Sequence, residues 1–319
     1  MSEPAAPWQS HGYGILPHPH EPRILMVPEP RESDTVWTLP RLTRPRRIWF
    51  VELGWVTAAM SNLLGSAVTA LRSAQFVTDE HQHHVEAIYI LENRAAVEYP
   101  PLGGAWITRA QLGELRLAVP SQRSILEAYF AEIERAEPPD HRPPWAMPGW
   151  YAAVETWIHE QLEALGCQVM APIEQVRVWG VSCVLRARTS SGAYYFKCGA
   201  RLPLAANEPQ LMQALGTRYP QFVPTPARFN LDQGWILLAD FGPPASHAAP
   251  DAVLHSAYRA LATMQVDLAA TSDTLLAQGC TDRCMPHLVE HLDLLLTILA
   301  GSQGWSRQRY AGCTPWCRS

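Results

Sequence analysis

The chain has 319 residues, of which 47% are hydrophobic and 17% are charged, and this length exceeds the usual size of one hydrophobic core, which favours two domains. The composition excludes a chain that is disordered throughout, because it supplies ample apolar material for cores. The formal net charge of -5 argues against nucleic acid and anionic membranes as partners, since both attract basic surfaces.

Residues 1–20 are rich in Pro and His and are predicted to form a mobile arm. They lack the basic and apolar segments of a secretory signal, and no apolar run approaches the ~20 residues that span a bilayer. The seven cysteines are odd in number and widely spread, unlike a secreted disulfide framework. We therefore expect a cytoplasmic protein with mostly reduced thiols.

Residues 21–136 are predicted to form a mixed α+β domain. Four short segments rich in β-branched or aromatic residues predict strands: Arg23–Val27, Ile48–Leu53, Val85–Leu91 and Ala105–Ile107. The Ala, Met and Leu content of Val56–Ala74 favours a helix despite Gly65. A second helix with an apolar stripe is predicted after Ser121, which is placed to cap it.

Residues 137–149 contain five prolines in thirteen residues, which forbid regular structure, so a linker is predicted here. A second domain is predicted over residues 150–300, and an unstructured tail over residues 301–319. The elements predicted for the second domain are a helix at Trp150–Leu165 capped by Gly166, a hairpin of Gln175–Arg188 and Ala193–Cys198, a helix from Asn207 to Leu215, strands at Arg228–Asn230 and Gly234–Ala239, and helices at Ala252–Leu268 and Pro286–Ala300.

Three sequence motifs of the second domain follow one another in a characteristic order: YYFKC with Lys197, ANEPQLMQAL with Glu208, and GWILLADFGPP before the helix HSAYRALATMQ. This order resembles the amino-terminal lobe of the kinase-like fold, and more narrowly the aminoglycoside phosphotransferase and choline kinase family. The resemblance implies an antiparallel sheet with a helix, followed by a partial helical carboxyl-terminal part. It also implies ATP as the nucleotide, with Lys197 on the α- and β-phosphates and Glu208 orienting Lys197.

Asp240-Phe241-Gly242 spells the tripeptide that holds magnesium in protein kinases. In those kinases the tripeptide lies after the catalytic loop, whereas here no such loop separates it from Lys197. The resemblance instead implies a hinge, in which Leu238, Ala239, Asp240 and Phe241 contact adenine. A solvated acid before a turn is the alternative for Asp240.

The resemblance also implies a loop that covers the phosphates, and Gly180 and Ser182 lie in the corresponding segment, which has a single glycine. Members of the family carry a His-Gly-Asp catalytic loop and metal-binding residues further along, and these are missing after Asp240. We therefore expect a truncated and inactive small-molecule kinase, without catalytic or magnesium-binding residues and with an unidentified acceptor. The alternative is a non-catalytic nucleotide-sensing or interaction module, with self-association through the exposed face of the lobe.

The first domain resembles a Nudix fold through VWTLP at Val36–Pro40 and GGAWITRAQLGEL at Gly103–Leu115. The helix predicted at Val56–Ala74 has no acid, so the magnesium site of Nudix hydrolases is absent and a binding or scaffolding role is expected.

HLVEH at His287–His291 fits a zinc peptidase pattern, but solvated histidines on a helix are the preferred interpretation. Free cysteines are likewise preferred over a zinc site formed by the pairs Cys280 and Cys284, and Cys313 and Cys317.

Overall fold

The computed structural model describes residues 7–31, 34–135, 137–139, 142–201, 208–242 and 250–303. These residues form a mixed α+β structure with three sheets and several helices. It divides into two compact units: Met1–Trp150 with Val176–Gly180 and Thr297–Ser319, and Tyr151–Gln175 with Val181–Leu296. Within the described ranges, no helix combines the length and the apolarity that a bilayer crossing requires.

The first unit is built on a mixed four-stranded sheet and a smaller three-stranded sheet. The four-stranded sheet has the order β4-β1-β6-β5, in which β1 pairs with β6 in parallel and the other pairs are antiparallel. The three-stranded sheet has the order β3-β2-β7. The elements are β1 (Gln9–Ile15), β2 (Arg23–Arg31), β3 (Asp34–Thr38), β4 (Arg41–Arg44), α1 (Leu53–Leu64), β5 (Val68–Asp79), β6 (His84–Asn93), β7 (Ala105–Thr108), α2 (Arg109–Glu114) and α3 (Arg123–Ile133).

The mobile arm predicted for residues 1–20 is wrong over residues 9–15, which form β1 in the interior of the sheet. Ile15 is fully buried. This strand was not predicted because it contains Gly14, and glycine has a low strand propensity. Its role is close approach, since a Cβ there would lie 2.7 Å from Leu91 Cδ1 and 3.1 Å from Met60 Cε. Residues 1–6 lie outside the described ranges.

The helix predicted at Val56–Ala74 is correct only in its first part. It ends at Leu64, because Gly65 adopts a left-handed conformation with φ of 63°, and the chain then enters β5. The strand predicted at Ile48–Leu53 is also wrong: Ile48 is fully buried, but the segment is a loop and a turn that lead into α1. The hydrogen bonds of the segment are those of a turn and a single contact rather than of a strand pairing: the Glu52 N–H donates to the Trp49 carbonyl oxygen and the Val178 N–H to that of Val51, both at 3.0 Å.

The other predicted strands of this unit lie within β2, β6 and β7, each of which is longer than predicted. The linker predicted at residues 137–149 is not a free spacer. Pro144–Ala146 forms one turn of 3-10 helix, and Trp145 is 2% exposed with its Nε1 donating to the Trp179 carbonyl oxygen at 3.0 Å. The buried indole ties the proline-rich segment to the core.

The second unit is built on four antiparallel strands in the order β11-β12-β10-β9. The hairpin of β9 and β10 turns at Ser190 and Ser191, as predicted, and Gly166 has the left-handed conformation predicted for it after α4. Helix α7 was not predicted. From Trp150 onwards the elements in chain order are α4 (Trp150–Glu163), β8 (Glu174–Trp179), β9 (Ser182–Thr189), β10 (Gly192–Gly199), α5 (Glu208–Arg218), β11 (Arg228–Asn230), β12 (Trp235–Ala239), α6 (Asp251–Ala269), α7 (Ser272–Ala277) and α8 (Met285–Gln303).

Helices α6 and α8 expose many apolar side chains. No residue of α6 is buried, and Tyr258 and Val289 are 69% and 67% exposed. The predicted cap Asn207 lies outside the described ranges, as do residues 304–319 of the predicted tail, whereas residues 301–303 belong to α8.

Candidate functional site

Strand β10 carries Lys197 in the middle of the sheet of the second unit. The register places Lys197 opposite Val184 on β9 and Ile236 on β12. Directly opposed residues of antiparallel strands point to the same side of a sheet. The same rule puts Ser182, opposite Gly199, and Leu238, opposite Tyr195, on that side. We call this side of the sheet the lysine face.

Glu208 is the partner of Lys197. The Lys197 Nζ atom donates a short hydrogen bond to Glu208 Oε1, and Glu208 is the first residue of α5. The two side chains are 34% and 32% exposed, so the pair is accessible to solvent and contributes little to stability by itself. Its effect is positional, because the carboxylate holds the end of a flexible side chain in one place.

The opposite side of the sheet is packed with aromatic rings that hold β10 rigid. Phe196, Trp157 and Trp235 form a triangle with ring centroids 5.4–6.0 Å apart. Cys183 and Cys198 face each other on this side, and burial raises the pKa of Cys198 to about 12 and that of Cys183 well above its usual range. Both thiols are therefore neutral near pH 7, as an apolar core requires.

The segment after β12 forms a tight turn at Asp240-Phe241-Gly242. The Asp240 N–H donates to the Ala193 carbonyl oxygen at 3.0 Å, which extends the pairing by one residue. Asp240 Oδ1 accepts the Gly242 N–H at 2.9 Å, and Gly242 has φ of 101°. Phe241 is 72% exposed. The carboxylate of Asp240 thus stabilises a turn, in agreement with the interpretation as an acid before a turn.

Gly180 and Ala239 are two further predicted residues, and neither is paired with Lys197 in the sheet. Gly180 is buried in the turn that joins β8 and β9, and this turn is closed on β10 by the Ala200 N–H, which donates to the Val181 carbonyl oxygen at 2.9 Å. Ala239 pairs with Tyr194, so it points to the aromatic side of the sheet. The structure therefore groups Lys197, Glu208, Ser182 and Leu238, whereas Ala239 can offer this face only its backbone.

One feature of the composition was missed in the sequence analysis: Lys197 is the only lysine in the chain. The sequence has 25 Lys and Arg residues in all, so every other permanently charged side chain of positive sign is an arginine. A compact ammonium and a planar guanidinium make different contacts. A count of residue types would have singled out this position.

A cavity of about 170 Å³ lies elsewhere in the second unit, where α5 meets α7. Its lining includes Leu215, Arg218, Thr274 and Leu275. Pockets that enclose a nucleotide-sized ligand have volumes of about 300–1,000 Å³. This cavity is too small for ATP, and it is not lined by Lys197.

No protein-family model matches the chain, and no curated protein matches it. The solved structures with weak similarity to the chain include the following two. A candidate oxidoreductase from Sinorhizobium meliloti 1021 is 14% identical with a TM-score of 0.30, over 39% of this chain and 38% of that one. An ADP-ribose pyrophosphatase from Streptococcus suis 89-1591 is 13% identical with a TM-score of 0.28, over 41% of this chain and 96% of that one. The chain thus spans well under half of the Sinorhizobium protein, and neither likeness carries an argument about fold or function.

Proposed function

We propose that the second unit is a nucleotide-binding lobe of the kinase-like fold, similar to the amino-terminal lobe of aminoglycoside phosphotransferases and choline kinases, and that it binds ATP. The observation that carries the proposal is the ion pair of Lys197 and Glu208. It joins the third strand of the sheet, in chain order, to the helix that follows. In protein kinases the lysine that contacts ATP phosphates also lies on the third strand and pairs with a glutamate of the next helix.

The lysine face fits a triphosphate nucleotide in its chemistry. Lys197 is partly exposed and held in place, so its charge is available to phosphate oxygens. Ser182 adds a hydroxyl on the same face, and Leu238 adds an apolar surface for adenine. Residues 238–241 would form the hinge, and Phe241 is its exposed last residue. When bound, ATP supplies the phosphoryl group that kinases transfer.

The residues of this chain do not fit the transfer step itself. The sequence contains no His-Gly-Asp tripeptide, which in the family provides the catalytic base. Asp240 Oδ1 accepts the Gly242 N–H, so we assign Asp240 to its turn rather than to a magnesium ion. We therefore propose nucleotide binding without phosphoryl transfer by this chain, and no acceptor substrate is assigned.

A second candidate function is a nucleotide-sensing or protein-interaction module that has no catalytic role. The exposed apolar side chains of α6 and α8 favour it, because large exposed apolar surfaces mark interaction sites.

For the first unit we propose a Nudix-like fold with a binding or scaffolding role. The mixed sheet with α1 beside β5 supports that fold, and the absence of any acid from α1 argues against metal-dependent hydrolysis.

The single lysine provides a direct test of nucleotide binding. Acetylation with a lysine-reactive ester would be followed at Lys197 by peptide mass spectrometry, with and without ATP. Phosphates on Nζ should slow the modification of Lys197 about tenfold or more, whereas the α-amino group of Met1 serves as the internal control. An equal rate of Lys197 acetylation in the presence and absence of ATP would count against the proposal.

Two variants and a matched control extend this test. Lys197→Ala should abolish the thermal stabilisation by ATP, and Glu208→Gln should weaken ATP binding about fivefold, the amount expected from one exposed ion pair. Arg188→Ala removes another cation of the same sheet, which pairs with Glu174 at 2.9 Å, and should keep the full shift. Stabilisation that survives in Lys197→Ala would show that ATP binds elsewhere.

A further inference from the structure

Three side chains of different chemistry converge in the loop between α7 and α8. They are the carboxylate of Asp282, the thiol of Cys284 and the imidazole of His287, and one ligand atom from each lies within 4.8 Å of the others. We propose that Asp282, Cys284 and His287 form a binding site for a divalent transition metal, with zinc as the ion that fits best. The proposal does not depend on nucleotide binding by the lysine face.

The donor set points to zinc among the common ions. Thiolate and imidazole together select zinc or copper over magnesium and calcium, which prefer oxygen ligands. Zinc sites use Cys, His and Asp at about 2.0–2.3 Å, which puts neighbouring ligand atoms about 3.3–3.8 Å apart in a tetrahedron. His287 Nε2 already lies 3.6 Å from Asp282 Oδ2. A shift of about 1 Å in the ligand atoms, which now lie up to 4.8 Å apart, would bring the Cys284 thiol to the tetrahedral distance from the other two.

The backbone holds two of these ligands near each other before any ion binds. The Cys284 N–H donates to Asp282 Oδ1 at 2.8 Å, which fixes the carboxylate beside the residue that carries the thiol. His287 lies in the first turn of α8, which starts at Met285. The spacing Asp-x-Cys-x-x-His therefore combines a loop turn with a rigid helix start.

The second ring nitrogen of His287 has an acceptor within reach. His287 Nδ1 lies 3.5 Å from Glu290 Oε2, one helical turn further on. Histidines that bind metals commonly donate their other N–H to a carboxylate, which fixes the tautomer and leaves the opposite nitrogen for the ion. Glu290 would therefore act as a positioning residue and direct Nε2 towards Asp282.

The charge of the site is balanced by the ion and by the helix. The Asp282 carboxylate and a Cys284 thiolate carry two negative charges, which match a divalent cation, and the amino-terminal end of α8 favours negative groups. All three ligands are exposed. The fourth position of the tetrahedron is therefore open to water or to a small ligand, as in zinc sites that are not closed by four protein groups.

This site does not follow from the sequence patterns considered above, in which cysteine was paired with cysteine and histidine with histidine. Cys280 and His291, which completed those patterns, are not part of the cluster. They now serve as matched controls, since each offers the same side-chain type within four residues of a proposed ligand.

Zinc binding to the reduced full chain, after removal of metals with a chelator, tests the proposal. We expect one equivalent of zinc in a competition titration with a chromophoric chelator, and a thiolate-to-cobalt charge-transfer band when cobalt is used instead. Cys284→Ser, His287→Gln and Asp282→Asn should each weaken zinc binding at least tenfold and reduce the band. Cys280→Ser and His291→Gln should leave both signals unchanged, and circular dichroism would confirm that every variant is folded.

The proposal is overturned if the parent chain binds no zinc or if the control variants lose as much affinity as the ligand variants. It is also overturned if only Cys284→Ser has an effect, because the ion would then be held by a single thiol rather than by three converging side chains.

Discussion

Glu132 on α3 holds two arginines of the first unit at once. Arg72 Nη2 donates to both carboxylate oxygens of Glu132 at 2.6 and 2.8 Å, and Arg142 Nη2 donates to Oε2 at 3.0 Å. The three side chains are only 16–23% exposed. Burial acts to raise the pKa of Glu132, but the hydrogen bonds and charges of Arg142 and Arg72 outweigh it and lower the pKa.

Replacing Glu132→Gln should therefore lower the free energy of unfolding by about 3 kcal/mol, since it leaves two largely buried cations without a counter-charge. Urea titrations of the parent and the variant would measure the loss. The matched control is Glu127→Gln, which removes an exposed ion pair with Arg109 and should cost less than about 1 kcal/mol. Equal losses in the two variants would contradict the assignment.

The same carboxylate gives the first unit a dependence on pH. Because the pKa of Glu132 is lower in the folded chain than its usual 4.5, its contribution is fully present above the unfolded pKa. The contribution is lost as the pH falls through the folded pKa. The difference in stability between the parent and Glu132→Gln should accordingly shrink as the pH is lowered below about 4.5, and an undiminished difference would exclude ionisation of Glu132 as the cause.

Gly65 decides where α1 ends and β5 begins. Its left-handed conformation, with φ of 63°, is unfavourable for residues with a Cβ. Gly65→Ala should lower the free energy of unfolding by about 1 kcal/mol, although no atom lies within 4 Å of the added Cβ. Gly113→Ala is the control, because Gly113 lies in α2 with equal space and no positive φ, and it should be neutral or stabilising. Urea denaturation that shows no difference between the two variants would contradict this explanation.

The elements that the sequence predicts well are those whose pattern is local. A few consecutive residues are enough to recognise the apolar stripe of α4, the alternating pattern of β9 and β10, and the short apolar run of β12. Strand β1 shows no such pattern, because its place depends on pairing with β6 far along the chain. Strand β5 was mistaken for helix since Ala and Leu suit both states until Gly65 is seen to end α1.

The same difference between local patterns and long-range contacts applies to the candidate sites. Lys197 and Glu208 were predicted together because a known order of elements links them, although their roles remain a prediction. Asp282, Cys284 and His287 were not grouped, because convergence at the start of a helix depends on the turn that Asp282 makes with the Cys284 N–H. Such a hydrogen bond is visible only in three dimensions.

Helices α6 and α8 of the second unit expose several large apolar side chains. Tyr258 and Leu261 on α6 are 69% and 47% exposed, and Val289 and Leu292 on α8 are 67% and 52% exposed. We expect self-association through these helices, with a mean mass that rises with protein concentration in sedimentation equilibrium. Burial of apolar side chains between copies would drive it.

A charge on the apolar side of α6 tests this expectation. Leu261→Glu should shift the association to higher concentration, whereas Thr263→Glu should not. Thr263 is exposed and lies two residues further, on the far side of a helix that turns about 100° per residue. A parent chain that stays monomeric at all concentrations, or equal effects of the two glutamates, would refute association through this surface.

The parallel pairing of β1 with β6 has a consequence for synthesis on the ribosome. β1 leaves the exit tunnel before β6, in which His84 is the partner residue of Gln9, and translation of the interval takes roughly 4–15 s at about 5–20 residues per second. During that time the nascent strand exposes Tyr13 and Ile15, which are buried in the finished sheet. Chaperones that shield short apolar segments would therefore meet β1 before its sheet can close.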